Sequence, residues 1–411
     1  YTFFALRTEP EGGPSVTRVL EGVLRPPYAG SFGVRMAAAG LPRLRHVALN
    51  AAYPFARFTL SDPALPLEIA LEAFNPLIPL DIERSSLPIA VLRYVLTNPS
   101  DRPVRAALAG SLFNYIGARA ACCGTGPTTA PGGLGNLPGG AINDVRGGNA
   151  ADGTPLRGLL LRSNCVAPRT PGDGTLALVA LADEATWRRT WGSTHWNRHL
   201  LTFWDDFASD GRFDDPAEVS PSPEGQGMIG SLAVEALVEP GASVPLTFLI
   251  CWHFPHRTAV GSGWETIDPQ GGWVGNYYAR QYQDAWDVAV QTAPHLAELE
   301  KDSLRFTQAF VSSNLPQPVK EAALNNLSTL CSQTCFRTAD GHFFGFEGCC
   351  DDSGCCFGSC THVWNYEPAT AYLFPELARD MRWLELKHGT LETGMNCFRL
   401  RLPLGGEPWT H

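Results

Sequence analysis

Charge is scarce in this chain. Asp, Glu, Lys and Arg make up 18% of its 411 residues, and the balance is negative, at −10. A phosphate backbone needs basic clusters, so nucleic-acid binding is excluded and a neutral partner is favoured. Among the 31 basic residues only Lys301, Lys320 and Lys387 are lysines, which we read as a bias of genomic composition. No apolar run reaches the roughly 18 residues that a membrane-spanning helix needs. No G-x-G-x-x-G fingerprint and no phosphate-loop motif occurs, so no nucleotide cofactor is expected, nor any other. No fixed period repeats, which argues against a solenoid or propeller. No secretory leader is visible, and we place the protein in the cytoplasm; the chain opens on Tyr1 rather than Met, so the gene start is expected upstream. Cysteine, at 12, is enriched but too thin over this length for a disulfide scaffold.

What is present is an apolar content of 44%, enough for a real core over about two domains. Up to about Trp273 the signals are β. Leu67-Glu68-Ile69-Ala70-Leu71-Glu72-Ala73 alternates with period two, which turns Leu67, Ile69 and Leu71 inward and Glu68 and Glu72 outward. Ile89–Leu96 is a nearly continuous apolar run and reads as a strand buried on both faces. Asn98–Pro103 has turn chemistry, so the run and Val104–Leu112 are expected to form an antiparallel hairpin. Further strands are expected at Leu156–Arg162, Leu176–Ala182, Ser231–Val238 and Val244–Trp252. Many short strands between Gly/Pro turns indicate a β-sandwich.

Two stretches interrupt the pattern. Cys122–Asp152 is rich in Gly, Pro and Ala and reads as a long loop. Thr186–Gly227 carries Trp187, Trp191, Trp196, Trp204, His195 and His199. Its aromatics suit either stacking on sugar faces or packing in a core. After Trp273 the period becomes helical. A helix is expected from about Asn276 through Trp286 and Ala289, another over Leu296–Phe310, a third opened by Pro318, and a fourth opened by Pro375-Glu376 and closed by Lys387-His388-Gly389. The division therefore falls near residue 275: residues 1–274 in one domain and 275–411 in the next.

The densest chemistry lies between Gly341 and Gly389, where cysteines, carboxylates, a His and a Trp precede a helix. Gly358-Ser359-Cys360-Thr361-His362-Val363-Trp364-Asn365-Tyr366, then Leu373-Phe374-Pro375-Glu376-Leu377 and Met381-Arg382, resemble glycoside hydrolase family 116, the family of bile-acid β-glucosidase or non-lysosomal glucosylceramidase. Leu71–Pro76, Ser85-Ser86-Leu87-Pro88, Phe113–Gly117 and Gly348 extend the resemblance over most of the chain. It implies a mainly β plus α fold: an N-terminal antiparallel β-sandwich, a linker helix, and the first helices of an (α/α)6 toroid. It also implies a retaining β-glucosidase whose substrate is a β-linked glycoside, glycolipids of the glucosylceramide type included. Such enzymes use two carboxyl groups about 5–5.5 Å apart. The family's nucleophile Glu and acid/base Asp segments have no counterpart here and are expected beyond His411. The chain thus reads as a piece cut at both ends, inactive alone.

Within the piece, Glu347 follows an aromatic run that would desolvate it and is a weak catalytic candidate. His362, Trp364, Asn365 and Glu367 are the candidate substrate-binding residues, with Trp364 as a stacking wall and His362 and Asn365 bonding sugar hydroxyls; fixing the loop is the structural alternative. Cys349, Cys350, Cys355, Cys356 and Cys360, near Cys331 and Cys335, could supply thiolates to zinc, though their spacing matches no known finger, and disulfides or plain thiols are open alternatives. Asp351 and Asp352 offer a weak oxygen-ligand turn. Besides the enzyme, two readings stay open: a non-catalytic carbohydrate-binding or interaction module, and a thiolate zinc-binding protein.

Overall fold

The structure is a computed structural model of residues 1–411, and it describes residues 2–23, 40–118, 137–192, 198–258, 272–332, 335–345, 359–360, 368–400 and 402–405. The strands are β1 (Phe3–Pro10), β2 (Val16–Gly22), β3 (Arg43–Leu44), β4 (His46–Ala52), β5 (Phe55–Ser61), β6 (Glu68–Phe74), β7 (Ile89–Thr97), β8 (Val104–Asn114) and β9 (Ala141–Asn149). They continue as β10 (Pro155–Ser163), β11 (Thr175–Leu181), β12 (Thr186–Arg188), β13 (Met228–Val238) and β14 (Ser243–His253), with short β15 (Cys335–Arg337), β16 (Phe343–Gly345), β17 (Ser359–Cys360) and β18 (Arg399–Leu400). The helices are α1 (Ile82–Ser85), α2 (Arg198–Asp210), α3 (Ala285–Thr292), α4 (Leu296–Val311), α5 (Gln317–Asn326), α6 (Pro368–Leu373) and α7 (Pro375–Gly389).

Two large sheets face each other, one of order β12-β13-β8-β1-β2-β3 and one of order β4-β5-β6-β7-β14-β11-β10-β9. All pairs in them are antiparallel except β2–β3. The strand period sorts side chains into three layers. Leu108 and Leu112 of β8, Ile69 of β6 and Leu178 of β11 meet between the sheets. Phe3 and Ala5 of β1 point the other way, under α2, with Phe203 and Phe207. Ile89 and Val91 of β7, and Leu249 and Cys251 of β14, point outward beneath α3, where Val288 and Ala289 cover them. The run Ile89–Leu96 is therefore buried on both faces, as its sequence requires, with Tyr94 and Leu96 turned into the inter-sheet core.

Helix α3 sits close because of a glycine. A Cβ at Gly158 would lie 2.4 Å from the Leu178 carbonyl oxygen and 2.9 Å from the Trp286 ring. The helix starts where Asp284 accepts from the Asp287 amide at 2.8 Å, an N-cap in the usual sense. The expected helix from Asn276 is thus two pieces: a 3₁₀ turn over Tyr277–Gln281, then a break that Asp284 ends.

The hairpin expected at Asn98–Pro103 is not formed. β7 pairs with β6 and β14, while β8 pairs with β1 and β13 in the opposite sheet. Both strands are apolar on both faces, so each is used as the middle of a different sheet, and the turn becomes an arch between them. A second arch joins β13 to β14, and Asn98 ties the two. Its amide nitrogen donates to the Val238 carbonyl at 2.8 Å and to the Arg102 carbonyl at 2.7 Å. Its backbone bonds Ala242 and Gly241 across the gap. Asn98 is fully buried.

One further expectation needs correction, and one open alternative is decided for the described residues. The stretch expected as a loop up to Asp152 contains β9, paired with β10 along its whole length despite Gly147-Gly148. The tryptophans of Thr186–Gly227 pack inward where they are described. Trp191 stacks on Phe203 with ring centroids 4.3 Å apart and donates its indole N–H to Ser231; Trp187 and Trp204 are partly buried. The outer face of the six-stranded sheet is apolar and needed a cover. Trp196 and His195 lie outside the described residues.

Candidate active site

The sandwich meets the helices along Asn75–Asp81, the link after β6. Asn75 donates to the Ile89 carbonyl at 2.7 Å, and the Leu77 amide donates to Ser303 of α4 at 3.1 Å. Leu77 is buried with Leu324, Leu327 and Phe374 from the helical side. Ser85 closes the link by accepting from the Ile78 amide and donating to its carbonyl. Leu80 holds a left-handed φ of 70°, fixed by its amide bond to the Leu373 carbonyl at 2.7 Å. Motif residues Asn75, Ser85 and Asn114 therefore hold backbone; Asn114, buried, bonds Asn143 and the carbonyls of Ile142 and Arg162.

Beside this link runs an open groove of about 680 Å³, lined by Ile78, Pro79, Arg84, Asp302, Arg305, Phe306, Gln308, Ala309 and Ser312. Arg84 is held by Asp81, Glu298 and Asp302 at 2.6, 3.1 and 2.9 Å. Burial would raise the Asp81 carboxyl, but bonds from Arg84 and its amide outweigh it and hold it below the ordinary range. Next along α4, Arg93 of β7 reaches Glu300 as well as Glu72, which fastens helix to sheet. Those bonds raise the Arg93 guanidinium against the opposing effect of burial.

The β15–β16 hairpin forms the other side of the junction. Arg337 lies over the Tyr277 ring, 3.6 Å from its centroid, and pairs with Glu83 at 3.0 Å. Arg257 lies 4.0 Å over Phe336 and donates to Asn276 at 3.0 Å. Burial pushes this guanidinium down to about 10 and pushes the nearby Tyr278 hydroxyl up to about 12. His342 and Asp380 meet across 38 residues of sequence: Nδ1 of the imidazole is 3.0 Å from one carboxylate oxygen, and the Phe343 amide donates to the other at 2.8 Å. A carboxylate only accepts, so Nδ1 carries a proton in this bond. His388 stands close enough for its own basicity to be lowered, by burial first, then by Lys387 and His342. No periodicity links His342 to Asp380, so the sequence gives no sign of the pair.

The segment singled out in the sequence follows the hairpin in the chain. It leaves the hairpin after Gly345, returns in β17 paired with β18, and re-enters helix at α6. Glu347, Cys349, Cys350, Asp351, Asp352, Cys355, Cys356, His362, Trp364, Asn365 and Glu367 lie outside the described residues, and Cys360 is described only through its backbone. Phe336 and Phe344 of the hairpin stack at 5.7 Å and pack with Leu384, Cys397 and Leu400. Cys331 and Cys335 face different surroundings: the Cys331 thiol lies 3.6 Å from Asn75, whereas Cys335 packs with Phe343 and Met381. Among the described residues no group of three or more His, Cys, Asp or Glu is placed to hold a metal ion. No helix among them is long and apolar enough to cross a membrane.

Residues 2–299 match the family model described as beta-glucosidase 2, glycosyl-hydrolase family 116 N-term. Among solved structures the chain is similar to a polysaccharide lyase, at 13% identity and a TM-score of 0.30, over 62% of this chain and 26% of that one. It is also similar to a candidate kojibiose phosphorylase from human microbiome, at 9% identity and a TM-score of 0.25, over 79% of this chain and 27% of that one. The chain thus spans about a quarter of the length of these two, and likenesses of that strength decide no fold.

Proposed function

Because this chain belongs to glycosyl-hydrolase family 116, we propose that it forms the sandwich and first toroid helices of a retaining β-glucosidase that hydrolyses β-glucosides, glycolipids of the glucosylceramide type among them. The family match over residues 2–299 is the observation that carries this reading. The division near residue 275 belongs to the same proposal, with α3 packed back on the sheet it follows. We assign substrate contact to the segment between β17 and α6: Trp364 as a stacking wall, His362, Asn365 and Glu367 as hydroxyl partners. Among the described residues, the His342–Asp380 pair ties the hairpin to α7, and the Arg337–Glu83 bridge ties the hairpin to α1. No described residue is assigned as nucleophile or acid/base.

The test is hydrolysis of an aryl β-glucoside by the natural polypeptide that contains this chain, with the anomeric configuration of the first-formed sugar followed by proton NMR. Net retention, and a raised KM in Trp364→Ala, are expected. Inversion, or no turnover of any β-glucoside, would refute the assignment.

A further inference from the structure

At the end of the sandwich where β14 runs out, one indole is held in a way that packing does not require. Trp273 is 56% exposed. Its backbone forms a β-bridge with Thr258, and the two residues after it donate to the Arg257 carbonyl, both at 2.9 Å. The chain is clamped from the other side by the Ala339 amide, which donates to the Val274 carbonyl. Gly275, at φ +64°, forms the floor: a Cβ there would come within 2.5 Å of the indole ring and 2.8 Å of Ala339. Only glycine fits under the ring. The indole N–H donates to Nδ1 of His256 at 3.2 Å. That bond fixes the imidazole tautomer, since an indole cannot accept, and puts the His256 proton on Nε2. Nε2 lies 3.6 Å from the Asp173 carboxylate, which is itself anchored by the Arg169 amide at 2.9 Å.

We propose that Trp273, with His256 and Asp173 at its edge, is a stacking platform for a pyranose ring of a neutral β-glucan or β-glucoside. The apolar C–H face of a sugar suits a rigid π face, and a carboxylate beside an oriented imidazole suits its equatorial hydroxyls. The chain's net charge of −10 disfavours an acidic glycan. An apolar protein partner would leave the Asp173 carboxylate facing hydrocarbon, which is costly. The inference takes the ligand's chemistry from the glycosidase reading above but needs no turnover.

The experiment is a titration of the 411-residue chain with cellotriose, read from the indole N–H signals of its 11 tryptophans, with the Trp273 signal identified from Trp273→Phe. A saturable shift of that signal is expected, with binding weakened about tenfold or more in Trp273→Ala, equivalent to roughly 1.4 kcal/mol. Trp273→Phe, which keeps a ring but loses the bond to His256, should bind a few-fold more weakly and serves if the alanine variant does not fold. No shift on a folded chain, or equal binding by both variants, overturns the platform. The two readings separate cleanly. Hydrolysis of a β-glucoside by the natural polypeptide without cellotriose shifts at Trp273 sinks the platform alone. Shifts at Trp273 with no hydrolysis sink the enzyme reading alone.

Discussion

Replacing Asn98 by alanine should destabilise the sandwich by about 2–4 kcal/mol. The side chain makes four bonds: it donates to the carbonyls of Val238 and Arg102 and accepts from the amide and hydroxyl of Ser100. The Val238 bond is buried at both ends, so its carbonyl would lose its partner with no water to replace it, at a cost of about 1–3 kcal/mol. Arg102 is exposed and Ser100 half-buried, so water can substitute and the other three bonds together cost about 1 kcal/mol. Asn98→Asp keeps the size and both accepted bonds but turns a carboxylate on two carbonyls, so it should cost more than alanine. The assay is urea unfolding followed by tryptophan fluorescence, with exposed Asn50→Ala as control. If Asn98→Ala moves the midpoint no more than the control does, or Asn98→Asp is milder than alanine, then the two arches are not held together as described.

Phe203→Ala should cost about 3–5 kcal/mol, as expected for a fully buried ring stacked on Trp191, and calorimetry would show it; a loss under about 1 kcal/mol would mean that α2 is not part of the core. Asp380→Ala should speed hydrogen exchange of the Phe343 amide, because its carboxylate no longer accepts from that amide or from the His342 ring; unchanged protection would mean that α7 does not hold the hairpin. For Asp62, burial raises the carboxyl, but the Ala64 amide first and then Arg18 outweigh it and hold it below its ordinary value. A depressed folded pKa stabilises above the unfolded value, near 3.9, and that stability fades as pH falls through the folded one. The cost of Asp62→Asn, measured by urea midpoints, should therefore be present at neutral pH and shrink below about pH 4; a cost that is constant with pH contradicts the assignment.

Much of the fold was legible, because burial writes a period into sequence. Leu67 and Ile69 are buried and Glu68 exposed as alternation demands, and α4, α5 and α7 start where proline and their apolar stripes put them. The failures share a cause. Asn98–Pro103 has the residues of a tight turn, but turn chemistry does not say which sheet the next strand joins. For Trp191 both stacking on a sugar and packing in a core stayed open, because nothing local shows that a sheet's outer face needs covering. β9 was obscured by glycines at an edge, where pairing with β10 supplies what propensity does not. The candidate site stood out in the sequence as a dense motif, most of which lies outside the described residues, and the contacts formed by the flanking elements gave no such signal. Arg257 on Phe336 and His342 on Asp380 are meetings of residues far apart in the chain, and only the folded backbone brings them together.

The seating of α3 bears on how this protein can be dissected. A polypeptide ended at residue 274, where the strand signals stop, would leave Phe74, Val91, Leu249 and Cys251 bare on a flat sheet and invite self-association. One carried past Ala293 would bring its own lid and should stay monodisperse. The unit of folding and the unit of composition therefore end about twenty residues apart, a difference that sets where any excised sandwich must be cut.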